Sequence, residues 1–200
     1  MRKIIFIIAL SFFLSVPSFF MVNSVSAAAL DSDNDGLSDD LELKFKTDIN
    51  NPDTDNDGYK DGAEVDFGYD PLTINKTRLP QRIAINLKTQ KLFYLVNGIE
   101  LKAWLISSGK PGMATPKGIF KIVNKSKKAW SKNYGLWMPY WLGLDRGHIG
   151  IHELPIWPSG YREGNNHLGK AVSHGCIRLG IGPSEYLFNR VATGTEVQIY

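Results

Sequence analysis

From residue 81 onward, apolar and polar positions alternate in short runs. Residues 82–87 (Arg-Ile-Ala-Ile-Asn-Leu) read as a half-buried strand, and Lys88-Thr89-Gln90 as the turn after it. Residues 91–96 make a second strand, and Asn97-Gly98 is a hairpin turn. Residues 100–107 and 118–123 predict two more strands, with a glycine- and proline-containing loop at 109–112 between them. Residues 125–132 are polar and basic, 137–144 aromatic, and 148–152 short and apolar. Residues 171–179 read as a strand or strand end. Residues 183–191 predict a helix, with Pro183 near its start and Leu187, Phe188 and Val191 on one face. Residues 196–199 close as a strand. Short strands with hairpin turns and one C-terminal helix predict a mainly β sandwich or barrel over residues 81–200.

The N-terminal pattern differs. Arg2-Lys3 precede an almost wholly apolar run at 4–20, and Val25-Ser26-Ala27 supply the small residues of a cleavage site. Residues 1–28 read as a secretory signal peptide, and the mature chain as secreted, into the cell wall or periplasm. An uncleaved anchor is the alternative, since the run is about long enough to span a bilayer. Pro17 and the small residues after it argue against stable membrane insertion.

Charge separates two further regions. The formal net charge is +3, but residues 28–71 carry a net of −11 and residues 72–200 a net of +12. The opposite blocks suggest two domains: a small acidic module at 29–72 and a basic domain at 81–200, joined by a proline-bounded linker at 73–80. The basic block would be drawn to a polyanion. In an extracellular setting that means anionic wall polymers rather than nucleic acid.

Within the acidic block two segments repeat at an offset of 22 residues. Asp31, Asp33, Asp35, Leu37, Asp39 and Glu42 in the first match Asp53, Asp55, Asp57, Tyr59, Asp61 and Glu64 in the second. These are positions 1, 3, 5, 7, 9 and 12 of a twelve-residue calcium loop, with position 7 supplying a backbone carbonyl. Gly36 and Gly58 sit at position 6, where the chain must turn sharply for the carboxylates to converge. The module is therefore predicted to bind calcium in a structural or spacing role. It is not a true EF-hand: signal cleavage leaves almost nothing before Asp31 to form an incoming helix, and ten residues separate the loops. Residues 31–72 resemble a pair of bacterial thrombospondin type 3 repeats. That resemblance implies folding on metal and ligands shared between the loops, an arrangement that leaves position 9 the least fixed by the spacing.

The chemistry gathers at Ser173-His174-Gly175-Cys176-Ile177-Arg178. Cys176 is the only cysteine of the 200 residues, so no internal disulfide exists and a free thiol is expected. On a strand, His174, Cys176 and Arg178 would share one face, with Ile177 and Leu179 turned into the core. Positive charge on both sides would favour the thiolate. The histidines also permit a zinc reading, with His148 and His152 four apart and His174 beside Cys176. His148 also reads as a surface residue and His167 as a loop histidine. Trp130, Tyr134, Trp137, Tyr140 and Trp141 suit either a core or contacts with sugars.

Residues 83–93, Ser107-Ser108-Gly109-Lys110, residues 115–122, 138–141 and 150–152, and above all Ser173–Arg178 together resemble the L,D-transpeptidase catalytic (YkuD) domain. The resemblance implies a peptidoglycan stem peptide as substrate, no catalytic cofactor, and 3-3 cross-links made through a cysteine thioester. It implies Cys176 as nucleophile and His152 as base, with His174 and Ser173 shaping the site. Backbone N–H groups around Gly175 and Cys176 would hold the oxyanion, and Arg178 a substrate carboxylate. Two features depart from the family pattern. Glu153 follows the first histidine where small residues are usual, and 20 residues separate His152 from Ser173. The extra residues, 154–166, read as a mobile lid or substrate wall. An L,D-carboxypeptidase, a protein-to-wall cysteine transpeptidase and a non-catalytic calcium-dependent wall-binding protein are the alternatives.

Overall fold

The computed structural model describes residues 29–145 and 148–200; the predicted signal peptide lies outside them. The mainly β expectation holds. The strands are β1 (Gln81–Asn86), β2 (Lys91–Val96), β3 (Ile99–Ser107), β4 (Gly118–Ser131), β5 (Leu136–Leu144), β6 (Gly150–Glu153), β7 (Ile177–Leu179) and β8 (Glu196–Ile199). They close into a barrel in the order β1-β2-β3-β7-β6-β5-β4-β8. The β2–β3 turn has positive φ at both Asn97 (51°) and Gly98 (78°), as a tight hairpin between twisted strands requires.

Alternating apolar residues fill the interior. Ile83, Ile85, Leu92, Tyr94, Ile106, Ile122, Leu142, Ile151, Ile177, Leu179 and Val197 are all essentially inaccessible. Helix α3 (Pro183–Arg190) lays Leu187 and Phe188 against this barrel, beside β5 and β6. Lys125 reaches its C-terminal end and donates to the Phe188 and Val191 carbonyls at 2.5 and 2.6 Å.

Two elements differ from the sequence reading. The basic stretch at 125–131 continues β4, because its residues pair across to β5 as Lys128↔Pro139 and Trp130↔Trp137. The two tryptophan rings meet at 4.8 Å and Lys128 lies over Trp137, so cross-strand side-chain contacts sustain a long hairpin despite its charge. Conversely, only Ile177–Leu179 of residues 171–179 is strand. Residues 173–176 form a turn, described below.

The acidic module carries α1 (Asp39–Phe45) and α2 (Asp61–Phe67), one short helix after each loop. Its two halves are interlocked. The Asp35 carboxylate accepts from the Gly62 N–H at 2.6 Å, and a side chain on Gly62 would strike the Asp35 carbonyl and Leu37 nitrogen at 2.7 Å.

This module packs on the barrel instead of standing off from it. Leu37, Phe45 and Val65 belong to the same buried cluster as the barrel interior, with Leu101 and Trp104 of β3 against them. Asp66 of α2 accepts hydrogen bonds from Tyr186 and Arg190 of α3. The Arg190 guanidinium lies 3.5 Å from the centroid of the Tyr186 ring, and Trp104 meets that ring edge-on at 5.4 Å. Residues 73–80, read as a linker, fold back along the module: Asp70 and Leu79 donate to Thr77 and Gly68 at 2.9 and 3.0 Å.

Replacing Asp66 by Ala strands the Tyr186 hydroxyl and the half-buried Arg190 charge. The loss is expected to be about 1–3 kcal/mol. In saturating calcium, Asp66→Ala should lower a single melting transition of the whole chain. A variant in which the module melts early while the barrel transition is unmoved would contradict the docked arrangement.

Candidate active site and candidate calcium loops

The site is built by the pairing of β6 with β7. These strands run parallel, in the register Ile151↔Ile177, His152↔Arg178 and Glu153↔Leu179. Ile151 and Ile177 enter the core, so the register is fixed by burial, because a slip of one residue would turn both out. His152 and Arg178 therefore lie side by side, with Cys176 just before the strand. His152, His174, Cys176 and Arg178 line one small hollow with Tyr134, Leu136 and Met138. The predicted shared face of His174, Cys176 and Arg178 is present, although a turn rather than a strand creates half of it.

That turn is held from within and from behind. Ser173 Oγ donates to the Cys176 carbonyl at 2.6 Å and accepts from the Gly175 N–H at 3.1 Å. Gly175 has φ of +114°, a conformation that strains any other residue. Thr115 donates to the Gly175 carbonyl at 2.8 Å, and its own hydroxyl accepts from the Gly109 N–H at 2.9 Å. Ser173 N–H donates to Ser108 O, and Gln90 bonds both the N–H and the hydroxyl of Ser108. Thr115, Ser108 and Gln90 were not singled out as site residues in the sequence. The positive φ of Gln90 (52°) has no sequence signature, and a lone threonine 61 residues before the cysteine gives none either.

The His152 ring is buried, with the Trp141 ring stacked at 6.0 Å. Its Nδ1 lies 2.6 Å from the Glu153 carbonyl. A carbonyl only accepts, so Nδ1 carries the proton and Nε2 keeps its lone pair. The main-chain oxygen of Glu153 thus orients the imidazole. The Glu153 side chain turns the other way and pairs with Arg162. Burial, reinforced by the Arg178 charge, pulls the His152 pKa down to about 4 against the pull of the carbonyl hydrogen bond. His174 is also lowered, by burial first and then by Lys110 and Arg178. Its ring stacks on Tyr134 at 4.4 Å, and it is His152, not His174, whose ring is oriented by a main-chain carbonyl.

The expected resting thiolate is not what the site favours. Burial pushes the Cys176 thiol up, and the Gly150 N–H and the Arg178 charge recover only part of that shift. Burial thus favours the neutral form of both thiol and imidazole.

Arg178 is 5% exposed, and its Nη1 donates to Glu163 Oε2 at 2.6 Å. Its Nε is buried without a protein partner. Residues 154–166, read as a mobile lid or a substrate wall, are anchored along their length. Ile156 and Trp137 exchange backbone hydrogen bonds at 2.8 and 2.9 Å, Leu154 is wholly buried, and Arg162 and Glu163 tie down the far end.

The metal-capable groups found among the described residues are two acidic triplets, Asp31-Asp33-Asp35 and Asp53-Asp55-Asp57, each with ligand oxygens within 4.8 Å. Among the described residues, His148, His152, His174 and Cys176 do not form such a group. Glu42 and Glu64 at position 12 are buried, and both are pushed up to about 7 by burial and by the neighbouring aspartates. Oxygens of Asp33, Glu42, Asp55 and Glu64 are buried without a hydrogen-bond partner. A hard cation would satisfy them, which is the fit calcium needs. Leu37 and Tyr59 donate their N–H groups to Asp35 and Asp57. The carboxylates at position 9 also take hydrogen bonds within their loops. Asp39 accepts from the Ser32 N–H and hydroxyl, and Asp61 from those of Thr54. Each carboxylate thereby ties the start of its loop to the helix that follows.

Comparison with known proteins agrees with this geometry. Residues 80–199 match the model of the L,D-transpeptidase catalytic domain, YkuD, and residues 31–52 and 53–73 each match the bacterial TSP3 repeat. A Bacillus subtilis (strain 168) protein named as an L,D-transpeptidase, YkuD, is 34% identical over 133 residues, covering 65% of this chain and 69% of that one. The solved L,D-transpeptidase from Stackebrandtia nassauensis is 28% identical with a TM-score of 0.50, covering 60% of this chain and 55% of its own. An L,D-transpeptidase from Mycobacterium smegmatis shares the fold at 21% identity and a TM-score of 0.53, covering 62% and 60%. The chain thus spans under two thirds of those solved structures. With its catalytic region matched from end to end, the chain belongs to the L,D-transpeptidase (YkuD) family.

Proposed function

We propose that the protein is a secreted peptidoglycan L,D-transpeptidase that makes 3-3 cross-links through a thioester on Cys176. The observation that carries this reading is the β6–β7 register, which puts an oriented, neutral imidazole and the lone thiol on one hollow. Family membership supplies the substrate class, the stem peptide. The secreted setting rests on the sequence of residues 1–28. Among the described residues no helix is long and apolar enough to cross a membrane.

The steps use this chain's own groups. His152 Nε2 takes the thiol proton as Sγ attacks the carbonyl carbon that precedes the terminal D-alanine. The carbonyl oxygen becomes an oxyanion. The Gly175 N–H is given to Ser173 Oγ, so the Cys176 N–H is the better-placed donor to it. The C–N bond then breaks, and the imidazolium passes its proton to the departing amine. An acceptor amine attacks the thioester carbon, His152 takes the amine proton, and the sulfur leaves and is reprotonated. The Glu153 carbonyl steadies the imidazolium throughout because Nδ1 keeps its proton. The module's two acidic loops would hold calcium and so keep α2 folded against α3.

Three outcomes test this reading. On purified muropeptides, the wild-type chain should give 3-3 dimers by mass spectrometry. Tripeptide without dimer would instead indicate a carboxypeptidase, and unchanged substrate a wall-binding protein. Cys176→Ala should abolish product, and His152→Gln should lower kcat by about 100-fold or more.

The pH dependence follows from His152. Its folded pKa of about 4 lies below the unfolded value of about 6.5. Between those values the unfolded chain binds the extra proton, so stability falls as pH drops from 6.5 toward 4, by at most about 3 kcal/mol. Measured in saturating calcium, which holds Glu42 and Glu64 ionised, His152→Gln should flatten this slope. An unchanged slope would place the titrating group elsewhere.

Calorimetry should detect calcium binding, and chelation should lower the melting temperature of the barrel as well as the module. Absence of binding would refute the two-loop assignment.

A further inference from the structure

Arg162 and Glu163 are consecutive and opposite in charge, and they reach two adjacent strands. In extended chain successive side chains point apart. Arg162 pairs with Glu153, which follows the base on β6, and Glu163 pairs with Arg178, two residues past the cysteine on β7. The Glu163 side chain is 11% exposed, and the same Oε2 that accepts from Arg178 meets His167 Nδ1 at 3.1 Å. The general mechanism gives Glu163 no task. Yet it is the carboxylate bonded to the one guanidinium that lines the Cys176 hollow.

We propose that Glu163 is a positioning residue of the reaction and acts through Arg178. Its carboxylate fixes the guanidinium at the edge of the hollow and sets how much of that positive charge the sulfur feels. The proposal rests on the reading of Cys176 as nucleophile. A buried guanidinium needs a counter-charge, and a bare one would pull the thiol toward thiolate. With Glu163 in place the pair is neutral overall, and the thiol keeps its proton until the imidazole takes it.

The other groups around the sulfur are few. His152 faces it from β6, His174 from the 173–176 turn and Tyr134 from the turn between β4 and β5. Lys110, Arg178 and Glu163 all act on His174, the first two lowering its pKa and Glu163 opposing them. Glu153 faces away, toward Arg162. Among these the carboxylate that acts on the Arg178 charge is Glu163.

Cys176 is the only cysteine, so alkylation by iodoacetamide reports on it alone. The alkylation rate is measured against pH in wild type, Glu163→Gln, Arg178→Gln and the double variant. Glu163→Gln should lower the pH midpoint by about half a unit or more, and Arg178→Gln should raise it. In the Arg178→Gln background, Glu163→Gln should have no effect on the midpoint, because the charge it governs is gone. A purely structural role would lower the melting temperature and leave the midpoint where it is. A midpoint that stays or rises in Glu163→Gln overturns the proposal. So does an equal shift with and without Arg178. If Glu163→Gln alone fails to fold, the comparison of Arg178→Gln with the double variant still decides the matter. Alkylation does not require turnover, so failure to cross-link muropeptides would refute the transpeptidase reading separately.

Discussion

The parallel pairing of β6 with β7 is the constraint on which the site depends. Ile151 and Ile177 pin that register in the core, and His152, Arg178 and the approach to Cys176 follow from it. Parallel neighbours cannot be joined by a tight turn and need a crossover. The 20 residues between His152 and Ser173 are that crossover, and they also wall the site through Arg162 and Glu163. Behind the cysteine, Thr115 and Ser173 brace a turn that would otherwise be free to open.

Burial outweighs charge in setting the resting state. Two basic neighbours suggest a thiolate, but a desolvated sulfur resists ionisation more strongly than Arg178 and the Gly150 N–H encourage it. Burial acts on the imidazole in the opposite direction and leaves it unprotonated. A neutral thiol facing a neutral base is a state that releases a nucleophile only when proton transfer accompanies attack. The position of the His152 proton is set by a main-chain carbonyl, so the side chain of the following residue was free to become the unusual Glu153.

Local patterns were readable from the sequence, and partnerships were not. Alternation gave β1, β2, β3, the start of β4 and β8, but not β5 or β6, whose residues read only as aromatic or apolar; turn chemistry gave Asn97-Gly98, helical spacing gave α3, and the repeated Asp-x-Asp-x-Asp-Gly spacing gave two loops whose carboxylates do converge. The continuation of β4 through Lys125, Lys127 and Lys128 was hidden because those residues are polar; their support comes from Trp137 and Pro139 on the opposite strand. The hydrogen bonds from Ser32 and Thr54 to Asp39 and Asp61 at position 9 have no mark in the loop spacing. The docking of the module through Asp66, Tyr186 and Arg190 joins residues 120 and more apart, a separation at which no periodicity speaks. It makes the acidic module part of the barrel's own packing, so a ligand that steadies the module would steady the barrel as well.

In the proposed reaction Cys176 carries the acyl group between donor and acceptor. Intact-protein mass spectrometry after brief mixing with a tetrapeptide stem donor, without acceptor, tests it most directly. The expected result is a mass increase equal to the stem less one molecule of alanine, confined to Cys176, removed by hydroxylamine and lost in Cys176→Ala. Cross-linked product formed by a chain in which Cys176→Ala is present, or an adduct located at any other residue, would contradict it.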